Sequence, residues 1–323
     1  MVLVLDEAAV ERSLDLASLV DVVGDALVRQ AAGAVERPDR PHFPVGAGLD
    51  GDSPLGTGIA MPAYVHGAER YATKLVGVHE GNAARGLPTV NAQIVLTDAR
   101  TGVPDAFMAG TAVTNARTGC IGALAARELA PDRLTLGVIG AGAQARWQTR
   151  AVATVAALAD VRIYSPSDSK AACAADLSDE GIPARAVDTP TDAVSEADVV
   201  VTATTATQPV FPPDALADGA VVVAVGAFTP EMRELAPAVL ARSETVFADV
   251  PSEVVETGDF SDVDLGANDL VPLGDLASGG YERRSPDAIV SVVSVGSAVL
   301  DAAAGAAVYE AAVARDEGTE IAL

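Results

Sequence analysis

After Pro131 the chain alternates between short apolar runs and longer helical runs, and this alternation limits the possible folds more than any other feature of the sequence. The apolar runs are nearly continuous, which is typical of strands that are buried on both faces. Such strands belong to a parallel sheet covered by helices, so this part of the chain is predicted to adopt an α/β fold. The predicted strands are 134–139, 161–164, 198–203, 220–225 and 245–248, and the predicted helices are 143–158, 168–178 and roughly 286–316.

The residues before Pro131 have a different pattern. Hydrophobic spacing predicts one amphipathic helix over 7–32, followed by Gly33 as a stop, and an alanine-rich helix over 111–130. The segment 36–56 is rich in Pro and Gly and is expected to form an irregular loop. Short apolar runs separated by Gly, Asn, Asp and Pro predict a small mixed sheet, with strands at 59–63, 71–78, 92–97 and 104–108.

The charge balance excludes several classes of partner. Acidic residues outnumber Lys and Arg by 45 to 21, which gives the chain of 323 residues a formal net charge of −24. A surface of this sign repels phosphate backbones, so nucleic acids and anionic membranes are not expected partners. The only lysines are Lys74 and Lys170, and an acidic composition with so little Lys is interpreted as an adaptation to high salt.

The sequence predicts a cytoplasmic protein without a metal centre. The N-terminus lacks the basic region and the length of a signal peptide. The longest uncharged apolar run, 288–300, has 13 residues and is too short to cross a bilayer. Two Cys and three His form neither a disulfide framework nor a recognisable zinc motif.

A glycine-rich turn follows the strand 134–139. Gly140, Gly142 and Ala145 form a G-x-G-x-x-A pattern where the predicted helix begins, and Ala143 and Gln144 lie between Gly142 and Ala145. The first Gly allows a tight turn, the second lets the backbone approach a pyrophosphate, and the helix N-terminus presents free N–H groups to the phosphates. In this strand–turn–helix context the pattern predicts a dinucleotide site that includes Gly140, Gly142, Ala143 and Gln144.

The end of the second strand bears on the choice of cofactor. An NAD site usually has an acidic residue there for the ribose 2′-hydroxyl. This chain instead has Ser165 and Ser167, with Lys170 nearby, and these side chains could receive a 2′-phosphate. They favour NADP over NAD, although the segment could also be a solvated loop in which Asp168 caps the next helix.

Several motifs, taken in order, resemble the ornithine cyclodeaminase/μ-crystallin family over nearly the whole chain. Each motif is modest alone, and their order and spacing carry the resemblance. They are Met61-Pro62-Ala63-Tyr64, Ala72-Thr73-Lys74-Leu75-Val76, Thr114-Asn115-Ala116-Arg117-Thr118-Gly119, the strand and turn 136–144, Val225-Gly226-Ala227, Pro230 with Arg233-Glu234-Leu235, Leu273-Gly274-Asp275-Leu276, Ser294-Val295-Gly296 and Asp301.

The resemblance implies two domains and a homodimer. Residues 1–116 would form an α+β substrate-binding and dimerisation domain, to which the C-terminal segment 303–323 returns. Residues 117–302 would form a Rossmann NAD(P)-binding domain. Thr202 and Thr204, at the carboxyl edge of the sheet, are further candidates to contact the cofactor. The remaining candidates come from the matching motifs and are Thr118, Val225, Gly226, Ala227, Ser294 and Gly296.

The family binds the carboxylate of an amino or imino acid with three cations, and three residues match them. Lys74 and Arg117 match the Lys and Arg of two motifs, and Arg40, in a Pro-rich loop, is the best match for the third. An Arg suits a bidentate carboxylate contact, whereas a Lys supplies a point charge. Lys74 is also notable because a chain with two lysines keeps one inside an apolar strand. Asp301 could cap or pair at the last helix.

The chain departs from the family at one position. Cyclodeaminases and the related archaeal alanine dehydrogenases have a catalytic Asp two residues after the Gly of the fifth strand, and here that position is Phe228. A Phe can neither act as a base nor pair with an ammonium group. The departure puts ornithine cyclodeamination and alanine oxidation in doubt, and it favours the family's ketimine reductases, with Phe228 against the apolar part of a cyclic substrate.

The resulting hypothesis is an NAD(P)H-dependent reduction of Δ1-pyrroline-2-carboxylate or Δ1-piperideine-2-carboxylate to L-proline or L-pipecolate. Lys74, Arg117 and Arg40 would bind the carboxylate, and either Lys74 or water would supply the proton. An alanine dehydrogenase or an ornithine cyclodeaminase is the alternative among enzymes. A protein that binds NADPH without turnover is the alternative outside them.

Overall fold

A computed structural model describes residues 1–322 of the chain, which divides into two compact units. The first unit contains Met1–Asp15, Ala32–Arg117 and the chain from Ala298 onward. The second contains Leu16–Ala31 and Thr118–Ser297. Within the described residues, no helix has both the length and the apolar character needed to cross a membrane.

The first unit is built on an eight-stranded mixed sheet with the strand order β16-β1-β7-β6-β5-β4-β2, to which β3 adds by pairing with β4. All pairs are antiparallel except that between β1 and β7. The strands are β1 (Val2–Leu5), β2 (Val35–Glu36), β3 (His42–Val45), β4 (Gly56–Val65), β5 (Arg70–Val78), β6 (Val90–Asp98), β7 (Pro104–Ala109) and β16 (Thr319–Ile321).

Helices α1 (Glu7–Ser13) and α10 (Ala298–Ala314) belong to the same unit, and α3 (Gly110–Leu129) begins there. Helix α10 packs against β4, β5 and β6. Its Gly305 faces Ile94, Leu96 and Met108, and a Cβ at that position would be in ordinary van der Waals contact with them. This contact places one face of the sheet in a dry core, while the other face carries exposed side chains.

The second unit is a doubly wound α/β domain with an eight-stranded parallel sheet in the order β10-β9-β8-β11-β12-β15-β13-β14. Its strands are β8 (Arg133–Ile139), β9 (Ala157–Tyr164), β10 (Ala184–Ala186), β11 (Val199–Thr202), β12 (Val221–Ala224), β13 (Ser243–Ala248), β14 (Val271–Pro272) and β15 (Ile289–Val293). Its helices are α2 (Leu16–Ala31), α4 (Ala143–Val152), α5 (Ser169–Asp179), α6 (Pro190–Val194), α7 (Pro237–Arg242), α8 (Pro251–Val254) and α9 (Leu273–Ala277), together with most of α3. The predicted α/β class with a Rossmann domain is confirmed.

Three of the inner strands are buried along their whole length. Every residue of β11, β12 and β15 is buried, which explains why the sequence shows continuous apolar runs there. The chain continues from β8 to β9 and β10 on one side and then crosses to β11 on the other side of β8, so the strand order reverses at β8. In open parallel sheets, ligands bind outside the carboxyl ends of the strands at such a reversal.

Two helix predictions extend into a neighbouring strand. The segment 286–316 contains the strand β15 before the helix α10, with Gly296 at φ +81° between them. Periodicity cannot distinguish a short buried strand from a buried helical segment, and this run is apolar throughout. The helix predicted over 143–158 is α4, which ends at Val152 because the next strand starts at Ala157.

The predicted helix 7–32 is two helices. Leu14 ends α1 in an extended conformation, and α2 begins at Leu16. The hydrophobic spacing runs through the break, so it does not reveal it. The segment 36–56, expected to be an irregular loop, contains the strand β3 and the end of β2.

The helix α2 is part of the second unit, whereas residues 1–116 were all predicted to lie in one domain. Gly274 explains this difference, because a Cβ there would overlap the carbonyl oxygen of Leu27 and the side chain of Ala31. The side-chain amide of Gln30 also donates to the carbonyl of Asp249 and accepts from the Ser297 hydroxyl. These contacts fix α2 on the parallel-sheet unit.

Candidate active site

Lys74 is buried in the first unit, on the face of β5 that α10 covers. Its neighbours in register are Met61 on β4 and Ile94 on β6, both of which are buried. The side chain is only 3% exposed, and its Nζ lies 2.6 Å from Oδ2 of Asp301. The buried apolar strand therefore holds a lysine whose amine is paired inside the protein and does not extend to solvent.

Asp301 joins two cations from different elements. It lies in the first turn of α10, where a negative charge also interacts favourably with the helix dipole. Its Oδ1 accepts a hydrogen bond of 3.0 Å from Nε of Arg117 on α3, and the Thr114 hydroxyl lies 3.5 Å from the same oxygen. Lys74, Arg117 and Asp301 form the group that we call the cation cluster.

The pKa values within the cation cluster follow from burial and charge. Burial lowers the pKa of Lys74 to about 8, the positive charges of Arg117 and Arg40 act in the same direction, and Asp301 opposes them. Burial alone would raise the pKa of Asp301, but the charges of Arg117 and Lys74 outweigh it and hold the pKa below its usual value. At neutral pH the cluster therefore contains two cations and one anion, which suits it to bind a further anion.

The structure brings Arg40 near this group. Arg40 is half-buried, and its charge acts on Lys74. All three residues predicted to bind a carboxylate therefore lie in one region of the first unit. The hydrogen bond from Arg117 to Asp301 is donated by Nε of the guanidinium.

The glycine turn of the second unit has the geometry of a phosphate cradle. Gly140 has φ +114°, and a Cβ there would overlap the carbonyl oxygen of Ala203. Gly142 is the N-cap of α4, has no side-chain cap, and faces open space where a Cβ would be. Ala143 begins the helix, whose first turn contains no acidic residue. The residues therefore fit a dinucleotide pyrophosphate at a helix N-terminus.

Hydroxyl groups cluster after β9. The Oγ atoms of Ser165, Ser167 and Ser169 lie 2.6–3.4 Å from one another. Lys170 lies with its Nζ 5.3 Å from the centroid of the Tyr164 ring and 4.0 Å from a carboxylate oxygen of Asp188. Asp168 is the N-cap of α5 but makes no side-chain cap hydrogen bond, so the capping role considered for it is not observed.

A buried carboxylate organises the ends of β11 and β12. Glu234 accepts hydrogen bonds from the hydroxyl and the backbone N–H of Thr204, from the hydroxyl of Thr202, and from the N–H of Gly226. Thr202 itself is completely buried. The adjoining Val225 N–H donates to the Thr202 carbonyl, and Ala227 is buried next to this turn.

A second carboxylate organises the end of β15. Asp249 accepts hydrogen bonds from the Ser294 hydroxyl at 2.6 Å and from the N–H groups of Val295 and Gly296 at 3.1 and 2.8 Å. Of the remaining candidates, Thr118 is buried, Gln144 is half-buried in the first turn of α4, and Phe228 is 50% exposed.

The roles of three acids were not predicted from the sequence. Asp301 was interpreted only as a capping or pairing residue, Glu234 only as part of a motif, and Asp249 was not considered. A signal for Asp249 exists, because it directly follows an apolar strand in a parallel sheet. The sequence around Asp301 indicates its role less clearly, since a single acid in an alanine-rich helix is common.

A parallel sheet with a glycine-rich phosphate turn, together with a cation cluster in a separate mixed-sheet unit, defines a two-domain protein of the dinucleotide-binding class. The family model of the ornithine cyclodeaminase/mu-crystallin family matches residues 1–316, and the chain belongs to this family. The resemblance inferred from the motifs is thus confirmed.

Individual relatives are similar over most of their length. A Δ1-pyrroline-2-carboxylate reductase of Bacillus cereus is 34% identical over 88% of this chain and 90% of its own. The Thermococcus litoralis Δ1-pyrroline-2-carboxylate reductase, solved with NADH and L-proline, superposes with a TM-score of 0.91 at 28% identity, covering 99% and 100% of the two chains. An archaeal alanine dehydrogenase dimer with bound NAD gives 0.89 at 28% identity, covering 100% and 99%.

Proposed function

We propose that this protein is an NAD(P)H-dependent reductase of a cyclic imino acid, converting Δ1-pyrroline-2-carboxylate or Δ1-piperideine-2-carboxylate to L-proline or L-pipecolate. The observation that carries the proposal is the cation cluster, in which Lys74 and Arg117 share the single carboxylate of Asp301. The similarity to the reductases of Bacillus cereus and Thermococcus litoralis supports the same reaction.

The cation cluster would bind the substrate carboxylate. Two buried cations with one anion retain an excess of positive charge, and the nearby Arg40 adds to it. A bound carboxylate would balance that charge in a region where water screens it poorly. Asp301 would act as a positioning residue, because its two oxygens fix the Lys74 amine and the Arg117 guanidinium before the substrate arrives.

The reduction adds a hydride to the imine carbon and a proton to the imine nitrogen. NAD(P)H supplies the hydride when bound. Lys74, with a pKa of about 8, is mostly protonated at neutral pH and can either donate the proton or hold the substrate while water donates it. An imine that is already protonated needs less acid–base assistance than the deamination of an amine.

Phe228 fits a reductase better than a deaminating enzyme. The side chain is aromatic where related cyclodeaminases have an acid, and it is half exposed, so a ligand can reach it. We infer that it contacts the methylene groups of the substrate ring. An apolar contact of this kind would favour a cyclic imino acid over a substrate with a second amine.

The residues of the second unit fit the dinucleotide. Gly140, Gly142 and the first turn of α4 would hold the pyrophosphate. We infer that NADPH is preferred to NADH, because Ser165 and Ser167 offer hydroxyls at the position where an NAD site has an acid. Lys170→Met should then weaken the binding of NADPH and leave that of NADH unchanged, and equal weakening of both would contradict this preference.

We also infer a homodimer formed through the first unit. Leu75, Phe107 and Tyr71 are 45%, 38% and 36% exposed on the face of the sheet opposite Lys74. Large apolar side chains that share an exposed sheet face indicate an interaction surface. The similarity to an archaeal alanine dehydrogenase dimer supports a partner of the same kind.

The test is a steady-state assay of the purified protein that follows NADPH and NADH oxidation with each cyclic imino acid. Pyruvate with ammonia, and L-ornithine with NAD, serve as the alternative substrates. Rapid oxidation with Δ1-pyrroline-2-carboxylate or Δ1-piperideine-2-carboxylate is the expected result. Turnover only with pyruvate and ammonia, or only with L-ornithine, would contradict the proposal in favour of an alanine dehydrogenase or an ornithine cyclodeaminase. Cofactor binding without any turnover would indicate a binding protein.

A further inference from the structure

Glu234 is completely buried in the second unit and accepts four hydrogen bonds. Oε1 accepts from the Thr204 N–H at 2.6 Å and from its hydroxyl at 2.8 Å. Oε2 accepts from the Gly226 N–H at 2.8 Å and from the Thr202 hydroxyl at 2.9 Å. Each oxygen therefore receives one backbone and one hydroxyl donor, and the carboxylate joins the segments that follow two adjacent strands.

The backbone of Glu234 is fixed independently of its carboxylate. Its N–H donates to Oδ1 of Asp259 at 2.6 Å, and its carbonyl accepts from the N–H of Val210 at 2.9 Å. Asp259 also accepts from the N–H of Leu235 at 2.7 Å. The carboxylate is thus presented from a rigid support to the ends of β11 and β12.

The joined segments also touch the glycine turn. A Cβ on Gly226 would overlap the Thr204 carbonyl and the Glu234 carboxylate, so the two segments are in direct backbone contact. A Cβ on Gly140 would overlap the Ala203 carbonyl and lie 3.4 Å from the Thr204 methyl group. A displacement of 203–204 would therefore move the turn that begins at Gly140.

We propose that Glu234 is a positioning residue for the dinucleotide: through Thr202, Thr204 and Gly226 it fixes the carboxyl-end segments of β11 and β12 against the glycine turn. The inference rests on the dinucleotide binding contained in the proposed function. It concerns the edge of the sheet next to the strand-order reversal, where ligands of such sheets bind.

A carboxylate suits this position and an amide does not. Each oxygen faces one backbone N–H, which can only donate. In Glu234→Gln, either orientation of the amide directs its NH₂ group at one of these N–H groups, either that of Thr204 or that of Gly226. The two donors would repel each other, and one buried N–H would lose its partner. A Gln is nevertheless close in volume to Glu, so the packing is retained.

The protonation state of Glu234 supports the same view. Burial raises its pKa to about 7 against the effect of the hydrogen bonds from Thr204, Gly226 and Thr202. Two other charged groups adjoin Glu234: Asp259, which accepts from its N–H and whose pKa is also raised by burial, and the preceding residue Arg233, which pairs with Asp262 at 2.8 Å. The ionised form accepts from all four donors, so the arrangement is most rigid above neutral pH.

The test measures the dissociation constant of NADH, since this dinucleotide lacks a 2′-phosphate that titrates near pH 6. We compare wild type, Glu234→Gln and Thr202→Val, which removes one donor to the carboxylate with little change in volume. The matched control is Asp198→Asn. Asp198 directly precedes β11, at the end opposite Thr202, and its carboxylate likewise accepts from a backbone N–H, that of Thr135. Circular dichroism establishes that each variant is folded.

The expected result is that Glu234→Gln weakens NADH binding about tenfold, Thr202→Val weakens it less, and the control is unchanged. Wild-type affinity should also rise between about pH 6 and 8, whereas Glu234→Gln should show no such rise. Folded variants that bind NADH as tightly as wild type, with the same pH profile, would overturn the role of Glu234. A wild type that binds neither NADH nor NADPH would instead overturn the proposed function and this inference with it. If Glu234→Gln does not fold, unchanged NADH binding by Thr202→Val alone overturns the role of Glu234.

Discussion

Arg117 and Asp301 form a buried hydrogen-bonded ion pair of 3.0 Å between the first part of α3 and the first turn of α10. The other oxygen of the same carboxylate is occupied by the ammonium of Lys74 at 2.6 Å. A single acid thus neutralises half of the positive charge of two cations. This arrangement makes α10 a necessary part of the proposed carboxylate site, to which β5 contributes Lys74 and α3 contributes Arg117.

Replacing Asp301 should cost much more stability than breaking an ordinary ion pair. Asp301→Asn leaves two buried cations without an anion, and such a loss typically costs about 3–5 kcal/mol. The measurement is the free energy of unfolding in urea. The control is Asp105→Asn, which breaks the partly exposed pair with Arg70 and should cost about 1 kcal/mol or less. Similar losses for the two variants would show that Asp301 does not balance the buried cations.

The affinity for a carboxylate ligand should fall as the pH rises through about 8, where Lys74 loses its proton. Pyrrole-2-carboxylate is a suitable probe because its own carboxylate stays ionised over this range. Calorimetry should show a decrease of up to about tenfold per pH unit above this pKa. Lys74→Arg keeps its charge and should remove the decrease, and Lys74→Met should weaken binding at all pH values. An affinity that does not change up to about pH 10 would contradict a carboxylate contact by Lys74.

Lys74 could be identified from the sequence as a candidate site residue, because a charged residue in an apolar strand is unusual in a chain with two lysines. The predicted roles of Arg117 and Arg40 required the family resemblance, since nothing in their local sequence distinguishes them from the other arginines. The strands β4 to β9 were predictable because Gly, Pro, Asn and Asp separate their apolar runs. The glycine turn was predictable because strand, turn and helix follow one another directly.

The partners of these residues could not be predicted, because they are distant along the chain. In the sequence, Arg117 and Asp301 are separated by residues 118–297 of the parallel-sheet unit. Glu234 lies in a loop whose sequence gives no sign that its side chain turns toward β11 and β12. The strand β15 was missed for another reason, since a fully buried strand next to a helix has no periodicity that separates the two.

The free energy of unfolding of the wild type, compared with that of Glu234→Gln, should decrease as the pH rises. Burial raises the pKa of Glu234 to about 7 in the folded protein, from an ordinary value of 4.5. Between these values the folded state binds more protons than the unfolded state, so stability is lost as the pH rises through this range. Relative to the variant, wild type should lose up to about 3 kcal/mol between pH 4.5 and 7. Urea unfolding at several pH values measures this difference, and parallel profiles for the two proteins would contradict the shift.

The exposed face of the first sheet should be required for assembly. Leu75→Glu and Phe107→Glu each place a charge on this apolar face and should dissociate the dimer, as measured by light scattering after size-exclusion chromatography. Val313→Glu is the matched control, because Val313 is an exposed apolar residue on α10 in the same unit. Dimers that persist in both sheet variants would place the interface elsewhere, and dissociation by the control would show that the effect is not specific.

The stability of the protein should increase strongly with salt. Many of the arginines are already paired with acids, among them Arg146 with Asp176, Arg150 with Glu180, and Arg233 with Asp262. With a net charge of −24, most of the remaining acids repel one another, and this repulsion is screened over about 3 Å at 1 M salt, compared with about 10 Å at 0.1 M. The unfolding temperature should therefore rise steeply between dilute buffer and molar NaCl. Sucrose at equal osmolality is the control, because it favours the compact state without screening charge. Full stability in dilute buffer, or an equal effect of sucrose, would contradict the interpretation of the composition as an adaptation to high salt.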